Sequence, residues 1–205
     1  ADSASLSITG NITLECWVKF ESTPASGNIQ TFMAKWDDSG VNQRSYWFAL
    51  QNSGGTLRFL LSVSADGIAG DNLVRNWTPS TGTWYHVAVS WVASTSTAQF
   101  VVDGVQQGAD VVGTATAIFN GIAPFQIGAY NDELVVSPFD GVIDECRVWN
   151  VARTVTQIND NKAAELVGTE SGLVAYWPFD ALAVPSGSYT QWPLMMGKSF
   201  RGPAG

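Results

Sequence analysis

A chain of 205 residues with 45% hydrophobic and 14% charged residues can bury one sizeable core and is too apolar for a disordered segment. Its formal charge of −8, with only ten scattered Lys and Arg residues, argues against nucleic-acid binding, which needs clustered basic side chains. No apolar run approaches the roughly 18 to 20 residues of a membrane span. Because no cationic and apolar leader opens the chain, we expect either a removed leader or a fragment.

The first part of the chain predicts β-strands separated by polar loops. Apolar and polar residues alternate between positions 12 and 20, which predicts a half-buried strand. Its apolar face carries Ile12, Leu14, Cys16, Val18 and Phe20. Residues 21–30 contain Ser, Thr, Pro, Gly and Asn and predict a loop, and further strands are expected at 31–36, 45–51 and 56–63.

A second alternating segment, WYHVAVSWV at 84–92, is followed by a strand that ends at Asp103-Gly104. Both central residues of a type I′ turn need positive φ, which an Asp-Gly pair tolerates. We therefore expect residues 98–102 to fold back on residues 105–107. His86 lies in the middle of the alternating segment and is interpreted as a packed, hydrogen-bonded sheet residue.

The last part of the chain continues the strands and then changes character. Strands are predicted at 117–128, 141–149 and 172–179, and Thr154 with Gln157 forms a capping-box pattern at the start of a short helix over 154–165. Residues 181–205 begin as a linker and then become apolar. This extension either folds over its own domain or is an assembly tail that completes a sheet edge, in its own chain or in a neighbouring copy. Its large apolar residues are Tyr189, Trp192, Leu194, Met195 and Met196.

Four stretches carry a family resemblance. They are LECWVK at 14–19, WYHVAVSWV at 84–92 with VVDG at 101–104, FDGVIDECRVWN at 139–150, and GLVAYWPFD at 172–180. In this order they resemble the laminin G-like and pentraxin-like domains of the concanavalin A-type jelly rolls. The resemblance implies an all-β fold, an antiparallel two-sheet jelly-roll sandwich with one short helix near the C-terminus. We expect one domain over 1–180 and an extension over 181–205. The family usually has one more strand at the start, so we expect a fragment or an assembly unit.

Acidic loops predict a calcium site, because calcium takes about six to eight oxygen ligands from carboxylates, carbonyls and amides. Asp37 and Asp38 lie in one predicted loop, and Asn131, Asp132 and Glu133 lie in another. By position these loops resemble the two that hold calcium in pentraxin-like domains, although the ligand spacing differs. The alternative is a pair of solvated acidic turns.

Nine Trp residues exceed what one sandwich core needs. Trp36, Trp77 and Tyr130 fall in predicted loops, where an exposed ring would offer a flat apolar face to a sugar. These three are either ligand platforms or buried loop anchors. The tryptophans in predicted strands are assigned to core packing, and they are Trp17, Trp47, Trp84, Trp91, Trp149 and Trp177.

The two cysteines admit two states. In the resembled fold Cys16 and Cys146 lie on neighbouring strands, which makes a cross-strand disulfide compatible with the geometry such a bond needs. A disulfide would fit an oxidising, extracellular setting. Two buried free thiols are the alternative.

The sequence favours recognition over catalysis. Glycan hydrolases of the resembled fold place a Glu-x-Asp-x-Glu-like run on one strand, and no such run occurs here. Asp140 with Asp144 and Glu145 has the wrong parity for a paired acid and nucleophile. We therefore expect a non-enzymatic recognition or adhesion domain that is extracellular, on a cell surface or on a virion, and that binds a glycan or a surface protein with the help of calcium. The alternatives are a structural subunit of a filament, adhesin or virion that assembles through its tail, as a homo-oligomer or as part of a larger multidomain chain, and, less favoured, a glycan hydrolase.

Overall fold

The computed structural model describes residues 3–40, 42–130 and 137–179, which form two antiparallel β-sheets and one α-helix. The strands are β1 (Ile12–Phe20), β2 (Ile29–Lys35), β3 (Tyr46–Ser53), β4 (Thr56–Val63), β5 (Asp71–Asn76), β6 (Trp84–Val92), β7 (Thr97–Val102), β8 (Val105–Gln106), β9 (Val111–Val112), β10 (Phe125–Ile127), β11 (Gly141–Trp149) and β12 (Leu173–Trp177). The helix α1 spans Val155–Asn161, and a 3-10 helix spans Ala4–Leu6. One sheet has the order β12-β11-β1-β6-β7-β8, with β9 also paired to β7, and the other has the order β10-β2-β3-β4-β5.

The core lies between the two sheets, and strand alternation supplies it. All five predicted inward residues of β1 are fully buried. Aromatic rings from both sheets meet there, because Phe59 of β4 stacks on Phe100 of β7 with ring centroids 5.6 Å apart. The predicted all-β sandwich with one short helix is therefore confirmed.

The turn and cap signals also have their expected structures. Asp103 and Gly104 have φ angles of 51° and 83° and connect Val102 of β7 to its partner Val105 of β8. At the start of α1, the Gln157 backbone N–H donates to the Thr154 hydroxyl at 3.2 Å, and the Thr154 backbone N–H donates to the Gln157 side chain at 2.9 Å. Both hydrogen bonds of the capping box are thus present.

Three local predictions are wrong. Only Phe125–Ile127 of the predicted strand 117–128 joins a sheet, because the N–H groups of Ile118 and Phe119 donate to two different segments, at Thr9 and Ser64. The helix ends at Asn161 rather than at residue 165. From Asn161 onward the side chains of Trp17 and Arg147, both on the sheet, donate to backbone carbonyl groups in place of further helical N–H groups. The outer face of β1 is not solvated near its start, since Glu15 is fully buried next to Arg153, just before α1.

The two cysteines are neighbours across β1 and β11. Both are fully buried free thiols, and their side chains are hydrogen-bonded to each other. Burial raises the pKa of the Cys146 thiol well above its usual value, and Cys16 adds to the effect. The second of the two predicted states, a pair of buried thiols, is the one the structure holds.

The sandwich continues to the end of the described residues. β12 pairs with β11, so Leu173–Trp177 is an edge strand of the seven-stranded sheet. Within the described ranges, no helix is both long and apolar enough to cross a membrane. The predicted assembly tail lies outside the described residues, and its residues are Tyr189, Trp192, Leu194, Met195 and Met196.

Candidate functional site

Several of the predicted loop residues converge at one corner of the five-stranded sheet. Trp36 directly follows β2, and Tyr130 comes shortly after β10, the neighbour of β2. Their ring centroids lie 5.9 Å and 4.5 Å from that of Trp47 on β3. These three rings form a buried group that is separate from the main core. We call it the corner cluster, and it comprises Ala34, Trp36, Trp47, Ala49, Leu60 and Tyr130.

The corner cluster lies on the outer face of the five-stranded sheet. On β3, Trp47 and Ala49 alternate with Tyr46, Phe48 and Leu50, which belong to the core between the sheets. Outward-facing residues of a sandwich are usually polar. The apolar corner cluster on this outer face departs from that pattern.

Two charged side chains border the corner cluster. The Tyr130 hydroxyl hydrogen-bonds Asp38, and the Arg44 guanidinium lies 6.0 Å from the centroid of the Trp36 ring while it donates to the Ile68 carbonyl. Burial raises the pKa of Tyr130, and the negative charge of Asp38 raises it further. The Tyr130 hydroxyl therefore keeps its proton near neutral pH and donates a hydrogen bond to Asp38.

The predicted aromatic residues do not all have the same surroundings. Trp36 is 5% exposed and Tyr130 is 8% exposed, so both are buried loop anchors rather than exposed platforms. Trp77 follows β5 and is not part of the corner. It is half-buried against the main core, where it stacks on Phe59 with ring centroids 4.5 Å apart. Trp36 and Tyr130 are thus brought together, and Trp77 is separated from them.

The described carboxylates alone do not make a calcium site. Asp37 accepts hydrogen bonds from the backbone and the hydroxyl of Ser39, at 2.8 Å and 2.6 Å, and Asp38 is bonded to Tyr130. No group of three or more His, Cys, Asp or Glu residues that could hold a metal ion occurs within residues 3–40, 42–130 and 137–179. Asn131, Asp132 and Glu133 lie outside the described residues. The predicted calcium site therefore depends on them.

Trp17 and Trp84, which were assigned to the core, lie instead on the outer face of the seven-stranded sheet, and so does the buried ring of Trp149. Trp84 is 40% exposed, which makes that assignment wrong, and Trp17 is half-buried. Lys19 pairs with Trp84 across β1 and β6, and its ammonium lies 5.4 Å from the ring centroid. The sequence did carry this signal, because both tryptophans alternate with buried apolar residues such as Val18 and Val87.

A buried charged group lies on the same face, next to α1. Arg153 is 2.9 Å from Glu15, and Trp149 donates to the same carboxylate oxygen at 2.8 Å. Burial raises the pKa of Glu15 against the opposing effect of Arg153 and Arg147. His86 packs against Trp17, and its Nε2 lies 3.5 Å from the Glu15 carboxylate, but neither ring nitrogen makes a hydrogen bond to a described residue. Burial lowers the pKa of His86 to about 3. This group attaches the helix to the sheet.

The order of the strands and the two-sheet core allow the fold to be compared with known families. A laminin G-like family model, described as the concanavalin A-like lectin/glucanase superfamily, matches residues 1–159. The chain belongs to this superfamily. The resemblance expected from the four sequence stretches is confirmed, and no curated protein matches the sequence significantly.

Solved structures share the superfamily fold at low identity. A candidate carbohydrate-binding protein from Bacteroides ovatus has a TM-score of 0.61 at 22% identity, over 94% of this chain and 50% of its own. The heptameric SAP-like pentraxin of Limulus polyphemus has a TM-score of 0.59 at 17% identity, over 85% of this chain and 79% of its own. The CBM40 domain of the Ruminococcus gnavus IT-sialidase bound to α2,3-sialyllactose has a TM-score of 0.59 at 18% identity, over 77% of this chain and 85% of its own. This chain spans half the length of the Bacteroides protein, and identities of this size support the fold alone.

Proposed function

We propose that this chain is a non-catalytic carbohydrate-recognition domain with a ligand site at the corner cluster. The observation that carries the proposal is the placement of Asp38 and Arg44 beside the rings of Tyr130 and Trp36. A carboxylate accepts hydrogen bonds and a guanidinium donates several in a fixed geometry, so together they match the hydroxyl groups of a sugar. The neighbouring rings supply the apolar side of the site.

The ring burial determines how a ligand would bind at this corner. Because Trp36 and Tyr130 are both buried, full stacking of a pyranose on either ring is not available. The polar contacts to Asp38 and Arg44 therefore contribute most of the specificity. Ile68 and Ile122 lie on the loops around Arg44 and are more than half exposed, so they add apolar contact area.

Two structural neighbours support the choice of ligand class. The Bacteroides ovatus structure is of a candidate carbohydrate-binding protein, and the Ruminococcus gnavus domain is bound to sialyllactose. The acidic sugar of sialyllactose would find its counter-charge in Arg44. Carbohydrate recognition is a known use of this fold, and the corner cluster has groups suited to it.

The carboxylates of the described chain favour binding over hydrolysis. Glycoside hydrolysis needs two carboxyl groups on opposite sides of one scissile bond. Asp140 instead accepts from the Ser22 hydroxyl, Asp144 accepts from the Glu145 backbone, and Glu145 pairs with Arg147 at 2.7 Å. Each of these carboxylates has a separate structural partner.

Calcium and location form the finer part of the proposal. Asp37 and Asp38 would share a calcium ion with Asn131, Asp132 and Glu133, as the loop order suggested. A bound ion would fix the loop after β2 next to Arg44. A recognition domain of this type would act outside the cell, on a cell surface or on a virion.

The test is a calorimetric titration with α2,3-sialyllactose and a panel of neutral oligosaccharides, each with calcium and with a chelator. Arg44→Ala should weaken binding of at least one ligand tenfold or more. Arg75→Ala is the matched control, because Arg75 is also half-buried and also donates to a loop carbonyl, that of Ala109. Equal affinity in the wild type and in Arg44→Ala would contradict the corner site, and equal affinity with chelator would contradict the calcium.

A further inference from the structure

The outer face of the seven-stranded sheet carries a row of side chains that α1 does not cover. Lys19 on β1 lies between its two cross-strand partners, Trp84 on β6 and Val142 on β11. Trp17 is two residues before Lys19 on the same face, so Trp17 and Trp84 are diagonal neighbours, roughly 7–8 Å apart. We call Trp17, Lys19 and Trp84 the indole row.

A cavity continues the indole row toward the end of the helix. It has a volume of about 340 Å³, which is at the small end of the range for ligand pockets. Its lining residues are Trp17, Glu145, Lys162, Ala163, Ala164 and Glu165. The indole N–H of Trp17 donates to the Lys162 carbonyl at 2.8 Å, which fixes the ring as one wall of the cavity.

Glu145 is held in the cavity by a built set of contacts. It has a positive φ of 51° at the irregularity in the pairing of β1 with β11, and such irregularities re-aim side chains. Its carboxylate accepts from Arg147 at 2.7 Å and from the Tyr176 hydroxyl at 2.8 and 2.9 Å. Arg147 itself is 1% exposed. Burial and the carboxylate of Glu145 raise the pKa of Tyr176 to about 12, so its hydroxyl stays a donor.

These contacts leave Glu145 able to accept one more hydrogen bond. An ionised carboxylate has about four acceptor positions, while Arg147 supplies one N–H and Tyr176 a single O–H that the two carboxylate oxygens share. Its side chain is 23% exposed, so a ligand in the cavity can reach it. Glu165 and Lys162 line the same cavity, and the Lys162 ammonium donates to the Asn159 side chain at 2.6 Å and to the Asn159 carbonyl at 3.4 Å, which leaves it one further N–H.

We propose that the indole row and this cavity form a second carbohydrate site, which binds a neutral oligosaccharide. One sugar ring lies against the exposed indole of Trp84, and the next enters the cavity beside Trp17, where its hydroxyl groups bond Glu145 and Lys162. The site combines apolar indole faces with two carboxylates and one ammonium group, and this combination suits an uncharged, hydroxyl-rich ligand. An anionic ligand would meet the carboxylates of Glu145 and Glu165.

This site shares a ligand class with the corner cluster and none of its residues. The two lie on opposite outer faces of the sandwich, so one domain would hold two ligands independently. A chain with two sites gains avidity for a surface on which the glycan is repeated, provided that both sites can be occupied together.

The experiment is an NMR titration of the ¹⁵N-labelled full chain with neutral hexasaccharides of glucose, mannose, xylose and N-acetylglucosamine. The indole N–H signals of Trp17, Trp84 and Trp36 are assigned with Trp→Phe variants. One hexasaccharide should shift the Trp17 and Trp84 signals, with the same effect in Arg44→Ala. Trp84→Ala should weaken this binding tenfold or more, while Val142→Ala, the other exposed partner of Lys19, should leave it unchanged.

Each other outcome overturns the second site. These outcomes are shifts at Trp36 alone, unchanged affinity in Trp84→Ala, or no shift with any of the four hexasaccharides. Self-association in sedimentation that Trp84→Ala abolishes, without sugar binding, would make the indole row a contact between copies. Loss of hexasaccharide binding in Arg44→Ala alone would leave the corner site and remove this one. Hexasaccharide binding at Trp17 and Trp84, together with no sugar whose binding Arg44→Ala weakens, would leave only the second site.

Discussion

Arg153 is the cation nearest to the fully buried carboxylate of Glu15, so its loss should be costly to the fold. It donates to Glu15 at 2.9 Å, to the Gln157 carbonyl at 2.8 Å and to Asn161 at 2.8 Å. Arg153→Met would leave the fully buried Glu15 with Arg147 as its remaining, more distant cation, 3.9 Å away. Removing one partner of a buried ion pair typically costs about 3–5 kcal/mol.

We therefore expect Arg153→Met to lower the free energy of unfolding in urea by about 3 kcal/mol, at the low end of that range because Arg147 remains. Arg58→Met is the control, since Arg58 is half-buried and, among the described residues, donates to the Gln51 side chain alone, at 2.9 Å. The control should lose less than about 1 kcal/mol. Equal losses in the two variants would show that Glu15 does not depend on Arg153.

His86 predicts a loss of stability in mild acid. Burial lowers its pKa in the folded chain from 6.5 to about 3, so between these values the unfolded chain binds a proton that the folded chain does not. The free energy of unfolding therefore falls as the pH decreases from 6.5, by up to about 1.4 kcal/mol per pH unit. The raised pKa of Glu15 acts in the opposite direction, since there the folded chain holds the extra proton.

Because His86 is the single histidine, one variant isolates its part of the pH dependence. Urea unfolding between about pH 5 and 7 should show a steeper decline toward acid in the wild type than in His86→Gln. Parallel curves would mean that His86 accepts its proton in the folded chain.

At the scale of the elements, the β7–β8 hairpin depends on Gly104 for two reasons. Gly104 has a φ of 83°, which costs a residue with a side chain about 1–2 kcal/mol. A Cβ at this position would also overlap the side chain of Asn159 on α1. Because the overlap includes the Cβ of Asn159, rotating that side chain does not remove the clash. The turn is therefore also a contact between the sheet and the helix.

Gly82 is a control that separates the cost of the positive φ from the cost of the clash with Asn159. Its φ of 76° is similar, and a Cβ there would have no neighbour within 4 Å. Gly82→Ala should cost about 1 kcal/mol, and Gly104→Ala at least about 1 kcal/mol more in the same thermal or urea unfolding measurement. Equal costs would show that the helix gives way at Asn159.

The elements differ in how far the sequence determines them. The bounds predicted for 56–63, 84–92 and 141–149 are those of β4, β6 and β11, because long alternating runs have one register that buries the apolar face. β5 was not predicted, since Leu73 is its one fully buried residue. The strand predicted over residues 117–124 does not form, because distant loops supply the hydrogen-bond partners of their backbone.

The candidate sites were harder to predict from the sequence than the strands. The position of Trp36 near Tyr130 follows from the pairing of β2 with β10, but the burial of both rings depends on Trp47 from a third strand. The exposure of Trp84 depends on where α1 ends on the sheet. Alternation along a strand predicts on which face of the sheet a side chain lies, but it does not predict which other element covers that face.

At the scale of the whole molecule, the two outer faces of the sandwich have different coverings. Next to α1, the seven-stranded sheet has its buried charged group, and beyond the helix it has the indole row. The five-stranded sheet has the corner cluster with Asp38 and Arg44. Our account is that such a domain binds carbohydrate and leaves it intact.

The most direct test of that account is to incubate the full chain with each oligosaccharide of the panel, in calcium, and to follow binding and cleavage in one sample by native mass spectrometry. We predict a complex between the chain and at least one intact oligosaccharide, whose mass and amount do not change with time. Shorter sugars that accumulate would show a hydrolase, and the absence of a complex with every member of the panel would contradict carbohydrate recognition.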